Sequence, residues 1–117
     1  MAKNSKTEVT EDETEKLNNK LHEIKEQEGI IGYILRDSKS ASIDIKDPAK
    51  IIEYAVLSST TFERSSNIAE TLQMDEIDTI LLESEETKML SMNTNNHQLS
   101  IFMEKTVAHN KLYKSLK

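Results

Sequence analysis

Between residues 11 and 28, Leu17, Leu21 and Ile24 stand at i, i+4 and i+7 among Glu and Lys. That is the narrow apolar stripe of a charged helix, and Gly29 is placed as its C-terminal stop. The period then changes. Ile30 to Leu35 is a continuous apolar run, the pattern of a strand buried on both faces, and Asp37-Ser38-Lys39-Ser40 reads as a turn. Ile43 and Ile45 next alternate with Ser42, Asp44 and Lys46, which suits a strand covered on one face at a sheet edge.

A long segment without internal Gly or Pro follows between Lys46 and Met74, opened by Asp47-Pro48. Asp is a preferred N-cap, and Pro fits the first helical position, where its missing N–H costs no bond. Ile52, Ala55, Ser59, Phe62, Ser66 and Ala69 recur at helical spacing and are the expected core-facing stripe. Ala55, Ser59, Ser66 and Ala69 are small, which lets that face approach a sheet closely. Tyr54, Leu57 and Ile68 stand off the stripe and form a second apolar strip, which either covers neighbouring loops or is buried by a second chain. The runs DTILLE, TKMLSM and QLSIFME give three more strands, joined by connections at Ser84-Glu85-Glu86 and Thr94-Asn95-Asn96-His97 short enough for antiparallel hairpins. Ala108, Leu112 and Leu116, four apart, predict a short closing helix.

The order is α-ββ-α-βββ-α. A sheet with apolar residues on both sides needs cover on both. The long helix can supply one face, and the first and last helices together the other. The expected architecture is therefore an α/β (α+β) three-layer α/β/α sandwich: five mostly antiparallel strands, one long helix on one face and two shorter helices on the other. Residues 1–10 are polar and aperiodic and are expected to be a flexible tail, leaving 11–117 as a single domain.

Composition narrows the function more than it names it. The 117 residues are 36% hydrophobic and 31% charged, which implies a lean core. A net charge of −6 argues against general nucleic-acid binding, which takes a Lys/Arg surplus. The chain has no cysteine, hence no disulfide framework, thiolate metal site or thiol nucleophile. It has no apolar leader-like run and no apolar stretch near the ~20 residues of a membrane span, so a cytoplasmic protein without membrane insertion is expected. His22, His97 and His109 lie on three different elements without ligand spacing. Gly29 and Gly32, the only glycines, build no phosphate-cradling loop, and no serine sits in a Gly-x-Ser-x-Gly turn. No catalytic residue, metal ligand or cofactor is expected. From Ser65 to Thr87 there are seven acids and no Lys or Arg, whereas from Lys105 onward there are four Lys and no acid. The acidic stretch is either solvated surface or a rim that favours a basic partner.

The element order, with EGIIGYIL closing the first helix, RDSKS in the hairpin, IIEYAVLSSTTFERSSNIAETLQ as central helix, the strands DTILLES, KMLSMN and LSIFMEK and the final AHNKLYKSL, resembles the Roadblock/dynein light-chain family over residues 14–117. The resemblance implies the five-stranded antiparallel sheet between one long and two shorter helices. It also implies a non-enzymatic scaffold that pairs with itself or with a paralogous Roadblock protein, central helices side by side and third strands edge to edge. Carried over by position, the helix surface would fall on Tyr54, Leu57, Thr61, Arg64 and Ile68, and the pairing strand on Ile77, Asp78, Thr79, Ile80, Leu81, Leu82 and Glu83. The compact, cysteine-free chain is most similar to the prokaryotic group, toward which its Ile-, Lys-, Glu- and Asn-rich composition also leans, and the resemblance implies an archaeal type whose partners are Ras-like small GTPases. One departure is the turn at Asp37-Ser38-Lys39-Ser40, which lacks the Gly of the Asp-x-Asp-Gly-like turn in many members. A second reading is a small-molecule-sensing α/β domain of PAS- or profilin-like build, with Tyr33, Arg36 and Met103 as candidate lining residues.

Overall fold

The computed structural model describes residues 2–94 and 96–116, with side chains from Thr14 onward. Its elements follow the expected order: α1 (Ala2–Lys25), β1 (Ile30–Arg36), β2 (Ala41–Ile45), a 3₁₀ turn (Pro48–Lys50) leading into α2 (Ile51–Thr71), β3 (Thr79–Glu83), β4 (Thr87–Thr94), β5 (His97–Glu104) and α3 (His109–Leu116). The expected tail at 1–10 and the domain start at 11 lie outside the residues described with side chains. Helix α1 ends at Lys25, three residues before the expected Glu28. The chain closes there through Glu26 N to Glu23 O (3.2 Å) and Gln27 N to Ile24 O (3.0 Å), and Gly29 then turns it with a φ of 86°.

The five strands form one sheet in the order β2-β1-β5-β4-β3, and all four pairings are antiparallel. Leu17, Leu21 and Ile24 of α1 and Leu112 and Leu116 of α3 cover one face, packing on Tyr33, Leu35, Leu90, Leu99, Ile101 and Met103. At roughly 1.5–3 kcal/mol per fully buried aliphatic side chain, this is the dominant cohesive layer. Lys25 reaches from the end of α1 to Asp44 of β2, and Lys88, 7% exposed, donates to His109 Nδ1 at 2.8 Å, tying α3 to β4. Burial, and after it the neighbouring Asp44 carboxylate, pushes the Tyr33 phenol above its ordinary pKa.

Helix α2 covers the other face over a thinner core of Ile34, Ile45, Met89 and Phe102. Its start is as expected: the Asp47 carboxylate accepts from Ala49 N at 3.0 Å, with Pro48 in the first position. Its inward stripe is a correction. The buried residues are Ser58, Phe62, Ser65 and Ala69, whereas Ile52 is 79% exposed and Ser59 and Ser66 face outward. Ala55, Phe62 and Ala69 face inward as expected, while Ile51 and Tyr54 take the place of Ile52, and Ser58 is held inward by its hydroxyl contact with Ser100. Small residues do let α2 lie close to the sheet, as expected, with Ser58 and Ser65 in place of Ser59 and Ser66.

Beneath α2, Ser100 Oγ of β5 lies 2.6 Å from Ser58 Oγ and 2.8 Å from Ser91 Oγ, all three residues being at most 1% exposed. Each hydroxyl in this chain needs the others, since water cannot reach them. Ser100→Ala is expected to lower stability by about 2–3 kcal/mol in urea denaturation, because two hydroxyls lose a partner. Replacing Ser58, Ser91 and Ser100 together by Ala should cost less than the single change, since no orphaned group is left.

The Asp37 turn forms without the missing glycine. Its carboxylate accepts from Lys39 N (2.8 Å) and Ser40 N (2.7 Å), and its own N–H donates to Ser40 O (2.9 Å). No residue from 37 to 40 has a positive φ, so the side chain does what a left-handed residue would otherwise do. The two backbone donors hold the carboxyl below its ordinary pKa of 3.8. A lowered folded-state pKa makes the contribution complete above the unfolded value, and it is lost as pH falls through the folded one. An NMR titration of Asp37 should therefore show a midpoint below the ordinary carboxylate range, and Asp37→Asn should flatten that part of the acid limb.

Candidate dimerisation surface

At 100° per residue, Leu57, Thr61, Arg64, Ile68 and Leu72 fall on one flank of α2. Leu57, Ile68 and Leu72 are 40%, 51% and 63% exposed, and Arg64 is exposed between them. The Thr61 hydroxyl donates to Leu57 O at 2.8 Å and so spends its hydrogen bond within the helix. Tyr54 is placed differently from the rest of the expected strip. It turns toward the sheet and stacks on Phe102, with ring centroids 4.4 Å apart and planes 14° apart. It still reaches this flank, as one wall of a groove of about 230 Å³ shared with Leu57, Leu82, Met89 and Phe102.

β3 lies at the end of the sheet and pairs only with β4 among the described residues, from Thr79–Met92 to Glu83–Lys88. The outer N–H and C=O groups of the strand are therefore left for water or for another strand. The expected pairing strand is trimmed: Thr79, Ile80, Leu81, Leu82 and Glu83 are in the strand, but Ile77 and Asp78 precede it. Those two still belong to the sheet end, since Asp78 O accepts from Asn93 N (3.0 Å) and Ile77 O from the Asn93 side-chain amide (3.3 Å). Leu82, 42% exposed, joins the α2 flank to the strand across the groove. The residues expected from the sequence thus lie along one face made of helix flank, groove and open edge. Leu72, four residues beyond Ile68 and outside the residues expected from the sequence, is exposed next to the same flank.

A second set of exposed apolar residues, Ile52, Val56 and Ile43 of β2, lies toward the opposite edge, where Arg36 of β1 donates to Ser59 Oγ at 2.7 Å. Tyr33, Arg36 and Met103 do not converge. Tyr33 and Met103 are buried under α1 and α3, and Arg36 reaches α2 on the other side of the sheet. A cleft of about 530 Å³ opens at the sheet end between Arg36, Asp37, Glu76, Asp78 and His97, and its walls are mostly polar. Small-molecule sites are mostly apolar with a few convergent polar groups, so this cleft gives the ligand-sensing reading no support. Among the described residues, no three His, Asp or Glu gather as a metal site, and no helix is long and apolar enough to cross a membrane.

No protein-family model matches the chain, and no curated protein matches it. Solved structures do. A Roadblock/LC7 domain from Streptomyces avermitilis superposes with a TM-score of 0.66 at 10% identity, over 85% of this chain and 83% of its own. MglB of Myxococcus xanthus gives 0.68 at 10% identity over 86% and 88%, and the gliding protein MglB of Thermus thermophilus gives 0.64 at 15% over 86% and 82%. At such low identity the shared property is the arrangement of the chain, and that agreement extends over most of both molecules. With its antiparallel β2-β1-β5-β4-β3 sheet held between α2 and the α1/α3 pair, the chain has the Roadblock/LC7 fold.

Proposed function

We propose that this protein is a non-enzymatic platform that pairs through the α2 flank and the β3 edge and, so paired, binds and regulates a Ras-like small GTPase. The observation that carries the reading is the continuity of Leu57, Ile68 and Leu82 with an open strand edge. Apolar side chains beside unpaired backbone groups suit a partner that offers both a helix and a strand, a second copy or a paralogous chain of the same fold. The fold adds support, since the resemblance to the Roadblock family implies a scaffold of this kind, and one of the similar structures is described as MglB in a tetrameric arrangement. The GTPase role rests on the family resemblance and the likeness to MglB.

Light scattering coupled to size exclusion, over a dilution series at low and at high salt, tests the pairing. A mass near twice 13.4 kDa supports the platform, and a monomer under all conditions removes the shared surface. Purified Ras-like GTPases from the source organism, loaded with GDP or with a GTP analogue, test the second half. Binding that depends on the nucleotide, or a changed rate of phosphate release, is the expected result. Equal absence of binding in both nucleotide states would overturn it.

A further inference from the structure

Resting on the pairing just proposed, we infer that the chain completing the β3 edge is one whose own edge carries Lys or Arg, rather than a second copy of this protein. The seven acids between Ser65 and Thr87 are all exposed, and no Lys or Arg lies among them. They are not spread over the surface. Asp78 precedes β3, Glu83 ends it, and Glu85 and Glu86 form the turn to β4. Antiparallel self-pairing sets the start of one strand beside the end of the other, so Asp75, Glu76 and Asp78 of each copy would lie near the Glu85–Glu86 turn of the second. Like charges opposed across a strand pair are destabilising, and here both ends of the pair would carry them.

The positive charge within reach is too small to offset this. Arg64 adds one cation to the α2 flank, Lys88, cross-strand from Glu83, is 7% exposed and already bonded to His109, and Lys105, whose N–H donates to Glu86 O, adds one more, against Asp78, Glu83, Glu85 and Glu86 at this edge. A Lys- or Arg-bearing edge would instead keep the apolar centre, Leu57, Ile68 and Leu82, and turn each acidic end into an attractive one. The surface therefore favours a basic partner and disfavours itself, and it does both with the same residues.

The test uses a variant with Asp78→Lys, Glu83→Lys, Glu85→Lys and Glu86→Lys as the basic-edged probe. All four positions are exposed, and circular dichroism checks that the fold is kept. Wild type is expected as a monomer of 13.4 kDa at about 0.05 M salt and to associate only at about 1 M, where charges are screened within roughly 3 Å. Mixed one to one at about 0.05 M salt, wild type and variant should form a dimer at least about tenfold tighter than either chain with itself, and weaker as salt rises. A wild-type dimer at low salt that salt does not strengthen, and that the variant does not outcompete, would overturn the inference and leave the pairing intact. No dimer of wild type, variant or mixture at either salt would overturn the pairing and this inference together. The salt series on wild type alone decides the matter even if the variant misfolds.

Discussion

Leu57→Glu combined with Ile68→Glu is expected to abolish association through the α2 flank while leaving the protein folded and soluble. The two residues are 40% and 51% exposed in the single chain, so a carboxylate at either position stays hydrated there. Exposed substitutions of this kind shift stability by roughly 0.5 kcal/mol or less. In a paired state the same carboxylates would be buried with no partner, at a cost of about 3 kcal/mol or more, roughly a hundredfold in affinity. Light scattering at about 1 M salt, where screening removes the repulsion between acidic edges, should show wild-type association and none for the double variant. Phe62→Glu is the contrasting change. Phe62 is 8% exposed beneath α2, so that variant should lose its fold rather than its partner. A double variant that pairs as tightly as wild type would place the seam elsewhere, and one that unfolds would show that Leu57 or Ile68 supports the core.

Gly32→Ala should be the most damaging small substitution in the sheet. A Cβ at Gly32 would lie 2.3 Å from Asp44 O and 2.7 Å from Ile45 Cα, both backbone atoms of β2 that cannot turn aside. Making room means parting β1 from β2, which breaks the register running from Gly32–Ile45 to Arg36–Ala41. A penalty of about 3 kcal/mol or more is expected, at the upper end of overpacking costs. It is to be read as a drop in melting temperature of some ten degrees or more, at roughly 4 °C per kcal/mol for a chain of this size. Gly29→Ala is the milder comparison, because the nearest atom there is the Val107 Cγ2 methyl, a side chain that can shift, although its φ of 86° still strains an alanine. Equal stabilities for Gly32→Ala and wild type would mean that β2 is held far more loosely than its backbone contacts imply.

Gly32 also marks what hydrophobic pattern alone does not reveal. The pairing of β1 with β5 skips a residue between Ile30 and Gly32, a β-bulge, and the bulge reverses which face the following side chains take. Ile31 packs under α2, whereas Tyr33 and Leu35 pack under α1 and α3. An unbroken apolar run is compatible with either assignment. The lone glycine inside it was the available signal, since Gly in a strand often marks a bulge or a close backbone approach. The phase of α2 was hidden for a related reason. Ile51 and Ile52 are adjacent and equally apolar, as are Ser58 and Ser59 in the opposite sense, so a shift of one residue leaves the pattern almost unchanged. Packing of Ile51 on the sheet and the hydroxyl contact from Ser58 to Ser100 select between them.

Several properties follow from the sequence by itself because their causes are local. Period sets the type of each element, Asp47-Pro48 starts the long helix, Gly29 ends the first turn region, and the short connections make β1–β2 and β3–β4–β5 hairpins. The need to cover two apolar faces sets three layers. The acidic stretch from Ser65 to Thr87 and the lack of Lys or Arg in it are equally plain in the sequence. Only the tertiary structure decided that β5 inserts beside β1, which sends β2 and β3 to the two edges and brings Leu82 against the α2 flank. It also decided that Tyr54 turns inward onto Phe102 while Leu57 and Ile68 stay out. Strand order and helix phase depend on contacts between residues far apart in the chain, and a pattern of neighbours carries the faces of an element but not the identity of what packs against them.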